Sequence, residues 1–264
     1  MRRALPRSLL AITAVGYAFL HLPVLILVVF SFNASRFSAT WTGFTWAWYR
    51  EILERPDILS ALELSLVIAL VSTAIATALG TCIALALARG RFRGRLAVES
   101  LLYLPIVTPE IVVGISLLLL FVTLRLALGV PTIVIAHVAF NIAFVAVVVT
   151  ARLHGLDASL REAALNLGAD EVTTFWKVTL PLLRPGILAA ALLAFTLSFD
   201  DFVITFFVAG VGATTLPLLV FSMVKVGVSP AVNAISTLFV LVSTLAVLVA
   251  DRLIQPRVAR RPSP

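Results

Sequence analysis

The stretch D-A-S-L-R-E-A-A-L-N-L-G-A-D-E-V-T-T-F-W-K-V-T-L-P, residues 157–181, is a polar island between two long apolar runs. Ser159 followed three residues later by Glu162 is a capping box, which predicts a helix start at that point. Ala163, Ala164, Leu165 and Leu167 continue the helix, and Gly168 supplies the left-handed backbone that ends one. Asp170 predicts the cap of a second short helix carrying Phe175 and Trp176, which Pro181 is expected to close. A helix-turn-helix is more than two spans need to be joined. It suits a rigid knob shown to something outside the membrane.

The flanking runs set the class. The chain has 264 residues, 61% of them hydrophobic and 12% charged, with a mean hydropathy of +1.11. That is a membrane composition. A span takes ~20 apolar residues to cross ~30 Å of hydrocarbon. Six are expected, over residues 9–30, 62–88, 96–124, 131–151, 185–208 and 233–250. They must be helical, because unpaired backbone groups cannot face lipid, and the runs are too long for barrel strands. The fold class is all-α, a polytopic membrane protein of about six transmembrane helices. The first run follows Arg2, Arg3 and Arg7 and exceeds a signal-peptide core, so it reads as a retained signal anchor. His21 and Pro23 interrupt it, as a tolerated polar residue and a kink.

Charge orients the bundle. With the N-terminus inside, fifteen of the 20 Lys and Arg residues fall on inside segments, and only Arg36, Arg50, Arg55, Arg125 and Lys225 fall outside. This bias satisfies the positive-inside rule. It places both termini and the 157–181 knob in the cytoplasm. The formal net charge of +7 does not imply nucleic acid, because the basic residues are dispersed over short loops at one face.

Glu162-Ala163-Ala164, then Gly168 after three residues, then nine residues, then Val178-x-Leu180-Pro181, resembles the EAA loop of ABC-importer permeases. Val178 stands where that family usually has Ile. The resemblance implies a MetI-like type I importer fold, a single permease domain over 1–264 with a cytoplasmic coupling loop at 152–184 and an external segment at 31–60. It also implies that Ser159, Glu162, Ala163, Ala164, Gly168, Ala169, Phe175, Trp176 and Pro181 form the surface that couples to an ATPase. Phe32-Asn33, Trp41-x-Gly43-Phe44-Thr45 and Trp48-Tyr49 in the external segment resemble the polyamine subgroup. Taken alone, these aromatics suit the lipid–water interface. Phe206-Phe207 with Gly210, Thr215-Leu216-Pro217, Ser229-Pro230 and Asn233-Ala234 look like spermidine/putrescine permeases of the PotC type. The resemblance then implies a PotA-like ATPase dimer, a PotB-like second permease and a PotD-like periplasmic binding protein. It implies a bacterial inner-membrane location, with ATP and Mg on the ATPase and no cofactor in this chain. Related permeases carry aminophosphonates, ferric ion or oxyanions, and these solutes remain alternatives.

Polar residues inside the spans are the candidates for a solute path. Pro105 and Pro109 should bend the third span and free carbonyls, with Glu110 directly after. Asp200 lies ~22 Å along the fifth span from Pro185, and Glu110 ~21 Å along the third from Leu96, at ~1.5 Å per residue. Asn141 lies halfway along the fourth span. This polar layer has two readings. In the structural one, Asp200 caps or breaks its helix and Asp201 reaches the outer interface. In the functional one, a carboxylate lines a cation path, with Phe199, Phe202 and Phe206 offering ring faces to an ammonium group or serving as packing.

The sequence carries no G-x-x-x-x-G-K-[ST] loop and no G-x-S-x-G elbow. His21, His137 and His154 are too scattered to make a metal site with the lone Cys82, which is expected to be buried as a small apolar group. A secondary transporter driven through Glu110 and Asp200 is the alternative from another class, and a membrane-embedded enzyme a remote third.

Overall fold

The computed structural model describes residues 7–35, 40–90, 92–227 and 229–254. In chain order the helices are α1 (Arg7–Phe30), α2 (Ala47–Glu54), α3 (Pro56–Arg89), α4 (Arg95–Val107), α5 (Glu110–Thr123), α6 (Val130–His154), α7 (Ala158–Asn166), α8 (Glu171–Thr174), α9 (Leu180–Phe199), α10 (Val203–Val208), α11 (Leu216–Val226) and α12 (Pro230–Ile254). A π-helical turn, Phe175–Thr179, joins α8 to α9. Among the described residues the only extended pairing is an isolated antiparallel bridge between Asn33 and Phe44. Four helices are long and apolar enough to cross a bilayer alone, and the α4–α5 pair makes a fifth only as a bent span. The sixth expected span falls on α12, whose described apolar stretch is Pro230–Leu245.

The chain divides into two compact units, residues 1–60 with 219–242, and residues 61–218 with 243–264. In the first, α1 runs unbroken through Pro23, and His21 meets its own need by bonding the Tyr17 carbonyl at 2.8 Å. The loop after α1 is built on Asn33, which is fully buried. Its amide donates to Thr40 O at 2.7 Å, its Oδ1 accepts from Thr42 N at 3.0 Å, and its carbonyl accepts from Trp48 Nε1 at 2.7 Å. Phe32, Phe44, Trp46 and Tyr49 stack around this knot with ring centroids 4.9–5.6 Å apart.

In the second unit α6 is the central helix. Ile133, Ala136 and Phe140 pack with Ile68, Phe121, Ile204, Val208 and Ala213. Further along, Val145 and Val149 pack with Ala84, Ala190 and Ala194. Lipid offers no hydrophobic drive between helices, so close approach over small residues takes its place. Helix α3 buries Ile68, Ala69, Ser72, Ala76 and Ala84 at intervals of three and four residues, one face of a helix. Gly80 continues that face: a Cβ there would lie 2.7 Å from the Val145 side chain.

Three expectations need correction, and one is sharpened. The bend expected in the third span is a break, with α4 and α5 meeting at 115°. Pro109 forces the preceding Thr108 out of the helical region (φ −77°, ψ 136°), and the chain leaves α4 there. Pro181 does not close the second short helix, because Glu171–Phe199 is one continuous helical span. The π-turn explains this: Leu180 N–H bonds the Phe175 carbonyl, and the widened turn makes room for the proline ring. The fifth span ends at Phe199 rather than 208, since α10 is a separate helix. Cys82 is exposed on α3 rather than buried.

After α10 the chain passes so close to the α5–α6 loop that a Cβ on Gly210 would overlap the carbonyl oxygen of Leu128. Gly210→Ala is expected to lose about 3 kcal/mol of stability by overpacking against rigid backbone. Gly212, at φ +85° with nothing within 4 Å, is strained but unobstructed, so Gly212→Ala is expected to cost only about 1 kcal/mol. Thermal unfolding of the two variants in detergent checks the order.

Candidate functional site

The knob is a pair of capped helices. Asp157, not Ser159, is the N-cap of α7: its carboxylate accepts from Ser159 N at 2.9 Å. The helix therefore starts at Ala158, and the capping box expected from Ser159 and Glu162 is displaced by an aspartate two residues earlier. An aspartate carboxylate caps as well as a serine hydroxyl and adds a charge that suits the helix N-terminus. At the other end Gly168 adopts φ +88°. Gly168 N donates to Leu165 O and Ala169 N to Ala164 O, at 3.0 and 3.1 Å, the paired bonds of a Schellman motif. Asp170 then caps α8 by accepting from Thr173 N at 3.0 Å. Arg161 on α7 pairs with Glu171 on α8 and fixes the angle between them.

The knob carries apolar side chains outward. Leu167 is 89% exposed, Val172 63% and Trp176 62%, beside the exposed Ser159, Glu162, Ala163 and Pro181. Ala164, Ala169 and Phe175 are half-buried, and Phe175 meets Trp176 edge-on at 5.6 Å. Single exposed apolar residues are ordinary, but a group of them on a rigid polar loop marks a contact surface. The base of the knob is tied to the bundle by Arg152 at the end of α6. Its guanidinium donates to Leu182 O at 3.1 and 3.3 Å. Its stem lies where Gly186 leaves room, since a Cβ on Gly186 would sit 2.5 Å from Arg152 Cγ.

The second candidate region is where the two broken spans restart. Gly114 on α5 lets α10 pack against it: a Cβ there would be 2.7 Å from Phe207 and 3.4 Å from the Ile204 backbone. This packing brings the first turn of α5 beside the start of α10. Glu110, exposed, opens α5 at the end where the helix dipole favours a carboxylate. Asp200, also exposed, is the C-cap of α9, and its charge interacts with those of Asp201 and Glu110. Distances reckoned along straight helices do not hold across a 115° break, yet the packing at Gly114 leaves Glu110 near enough for its charge to act on Asp200.

Asp201 does not reach an outer interface. Its side chain is 8% exposed and faces inward. It accepts from Thr205 N at 2.7 Å, Thr205 Oγ1 at 2.7 Å and Ile204 N at 3.3 Å, and so caps α10. Its remaining neighbour is His137 Nε2 at 3.2 Å. His137 is not among the candidates that the sequence singles out, where it counts only as a scattered histidine. An ionisable group one turn from Asn141 in an apolar span was the available signal. Asn141 is 1% exposed, and its Oδ1 has no hydrogen-bond partner among the described residues. Phe199 is 2% exposed and stacks on Phe195, whereas Phe202 and Phe206 sit 5.6 Å apart with Phe206 half exposed.

Residues 76–260 match the family described as binding-protein-dependent transport system inner membrane component. The chain is 47% identical over 236 residues to the putrescine transport system permease protein PotI of Escherichia coli K12, covering 87% of this chain and 84% of that one. It is 42% identical over 240 residues to the spermidine/putrescine transport system permease protein PotC of Haemophilus influenzae, covering 91% and 93%. Among solved structures, it superimposes with a TM-score of 0.75 on a chain of a bacterial ABC transporter importing the acidic polysaccharide alginate, at 15% identity and 96% coverage of both chains. A chain of the MetNI methionine ABC transporter matches with a TM-score of 0.65 at 19% identity, covering 74% of this chain and 94% of that one. At these identities the structures speak for the fold alone.

The caps generate a pH-dependent expectation. Hydrogen bonds from Ser159 and from Thr173 hold the Asp157 and Asp170 carboxyls below the usual carboxylate range. A depressed folded-state value means that the capping contribution is complete above the ordinary carboxylate range and is lost as pH falls through the depressed values. Amide protection factors in α7 and α8, each rate taken against the unfolded chain at the same pH, should therefore hold down to the ordinary carboxylate range and fall below it. Asp157→Asn, which caps without titrating, should flatten this dependence in α7.

Proposed function

The chain belongs to the inner-membrane components of binding-protein-dependent transport systems, and from that membership we propose that it is the permease subunit of an ATP-driven polyamine importer. It is a multi-pass membrane protein. What supports the solute assignment is that Glu110, at the start of α5, and Asp200, at the end of α9, lie near enough for their charges to interact. Two neighbouring carboxylates repel each other more strongly as water is excluded. A cation between them relieves that repulsion, and a linear diamine or triamine brings an ammonium group at each end. The ring faces of Phe202 and Phe206 suit the same ligand. The putrescine and spermidine/putrescine permeases to which the chain is similar support this choice over aminophosphonates, ferric ion or oxyanions.

The knob is the coupling element. Loop 152–184 lies in the cytoplasm with both termini, in the orientation given by the excess of inside Lys and Arg. Exposed Leu167, Val172 and Trp176, with Glu162, Ala163, Ala164 and Gly168 behind them, dock on an ATPase subunit of the PotA-like class. ATP and Mg stay on that subunit, and no hydrolysis occurs on this chain. A PotB-like permease completes the pore. A PotD-like binding protein delivers the solute to the outer side, where segment 31–60 lies. The whole chain acts as one permease domain. Nucleotide closure of the ATPase pair moves the knob, and the bundle alternates between two states that solute and nucleotide bias in opposite directions.

Three measurements test this. The chain purified from its native membrane should bring an ATPase with it, and putrescine uptake into vesicles should stop without ATP. Solute movement by the chain alone, driven by a proton gradient, would overturn the proposal. Gly168→Val, a β-branched residue at φ +88°, should insert normally and lose coupled uptake. Asp200→Asn should raise KM for putrescine about tenfold, or ~1.4 kcal/mol, with maximal rate changed far less. Equal KM values in the variant and the wild type would remove Asp200 from the path.

A further inference from the structure

We propose that His137 is a positioning residue for Asp200: it fastens α6 to the break between α9 and α10, so that Asp201 is kept inside and Asp200 is turned out. The proposal rests on the reading of Asp200 and Glu110 as the carboxylates that receive a cationic solute.

His137 is 3% exposed and belongs to a closed chain of polar groups. Ser72 Oγ on α3 lies 2.8 Å from Ser198 Oγ on α9, and Ser198 Oγ lies 2.6 Å from His137 Nδ1. His137 Nε2 lies 2.9 Å from Thr205 Oγ1 and 3.2 Å from Asp201 Oδ2. Ser72 Oγ also donates to the Ile68 carbonyl at 2.7 Å, and Thr205 Oγ1 donates to Asp201 Oδ2 at 2.7 Å. Both ring nitrogens of His137 are therefore engaged, Nδ1 with α9 through Ser198 and Nε2 with Asp201 and Thr205 at the start of α10.

The consequence is a division of labour between adjacent aspartates. Asp201 has its charge met inside the bundle, by His137 and by the N-terminus of α10. Asp200 is exposed, has the like charge of Glu110 near it, and forms no ion pair among the described residues. A buried carboxylate that loses a hydrogen-bond partner is disfavoured. Removing the imidazole should drive Asp201 toward solvent and turn the 199–202 segment, displacing Asp200.

The test uses the assembled transporter in membrane vesicles, with the exposed Cys82 replaced by Ala and a thiol introduced by Asp200→Cys. A trimethylammonium methanethiosulfonate reagent reports how Asp200 is presented, whatever solute is carried. His137→Leu should change the labelling rate about fivefold or more, and His137→Gln, which keeps one donor, should stay near the parent. Should His137→Leu fail to assemble, Ser198→Ala, which removes only the Nδ1 partner, is expected to shift the rate in its place. Equal rates in the parent and in every variant that assembles overturn the proposal. With Asp200 restored, His137→Leu and Ser198→Ala should raise KM for putrescine while leaving maximal uptake within about twofold, and His137→Gln should keep KM near that of the wild type. Reduced maximal uptake at unchanged KM would mark a merely structural residue and also overturn it. If labelling shifts as expected but the wild-type transporter does not carry putrescine, the positioning role stands and the polyamine assignment falls.

Discussion

Backbone amides within hydrocarbon have no water to turn to, so a helix that breaks inside a bundle must find substitute hydrogen bonds. The two breaks in this chain meet that requirement differently. Between α4 and α5 the break falls at Pro109, which has no amide hydrogen to satisfy, while the Thr108 amide still bonds the Leu104 carbonyl. Between α9 and α10 the substitute is Asp201, whose carboxylate takes the Ile204 and Thr205 amides at 3.3 and 2.7 Å. That carboxylate is itself costly to bury, and His137 offsets the cost. Because both breaks are tolerated, α5 and α10 can pack as a pair across Gly114. The electrostatic influence of Glu110 on Asp200 follows from that packing.

The knob solves the opposite problem. It must stay rigid outside the bundle, where water competes for every hydrogen bond. Its stiffness comes from closed helix ends: Asp157 and Asp170 at the N-termini and the Schellman pair at Gly168. The π-turn joins it to the fifth span without an interruption. Helix therefore runs from α8 into α9 with no flexible loop between them. Arg152 ties the same junction to the end of α6.

Charge is distributed by the same economy. One aspartate of the Asp200–Asp201 pair has its oxygens met by hydrogen bonds inside the bundle, and its neighbour is left exposed. Adjacent helical residues point ~100° apart, and the break at Asp200 lets one side chain turn to solvent and the other into the core. The aromatic residues divide likewise: Phe199 fills the core against Phe195, and Phe206 stays half exposed.

Much of this was legible in the residues themselves. Long apolar runs require helices, because the bilayer allows few alternatives. Gly168 and Asp170 announce a helix end and a helix start, because φ above zero and N-capping are local properties. The prolines of the third span announced a bend, though not its 115°, since a proline limits a helix without directing the chain beyond it. Ser159 was misjudged for a local reason: Asp157 stood two residues earlier and capped α7 first. Pro181 was misread because whether a proline ends a helix depends on whether the preceding turn can widen. The pairing of His137 with Asp201, 64 residues apart, left no trace in spacing or periodicity. The sequence alone determined that this chain is a helical membrane protein with a capped knob, because hydropathy and capping act over a few residues. Only the tertiary structure decided which buried charges are matched and which are left facing out, because that depends on how α3, α6, α9 and α10 come together.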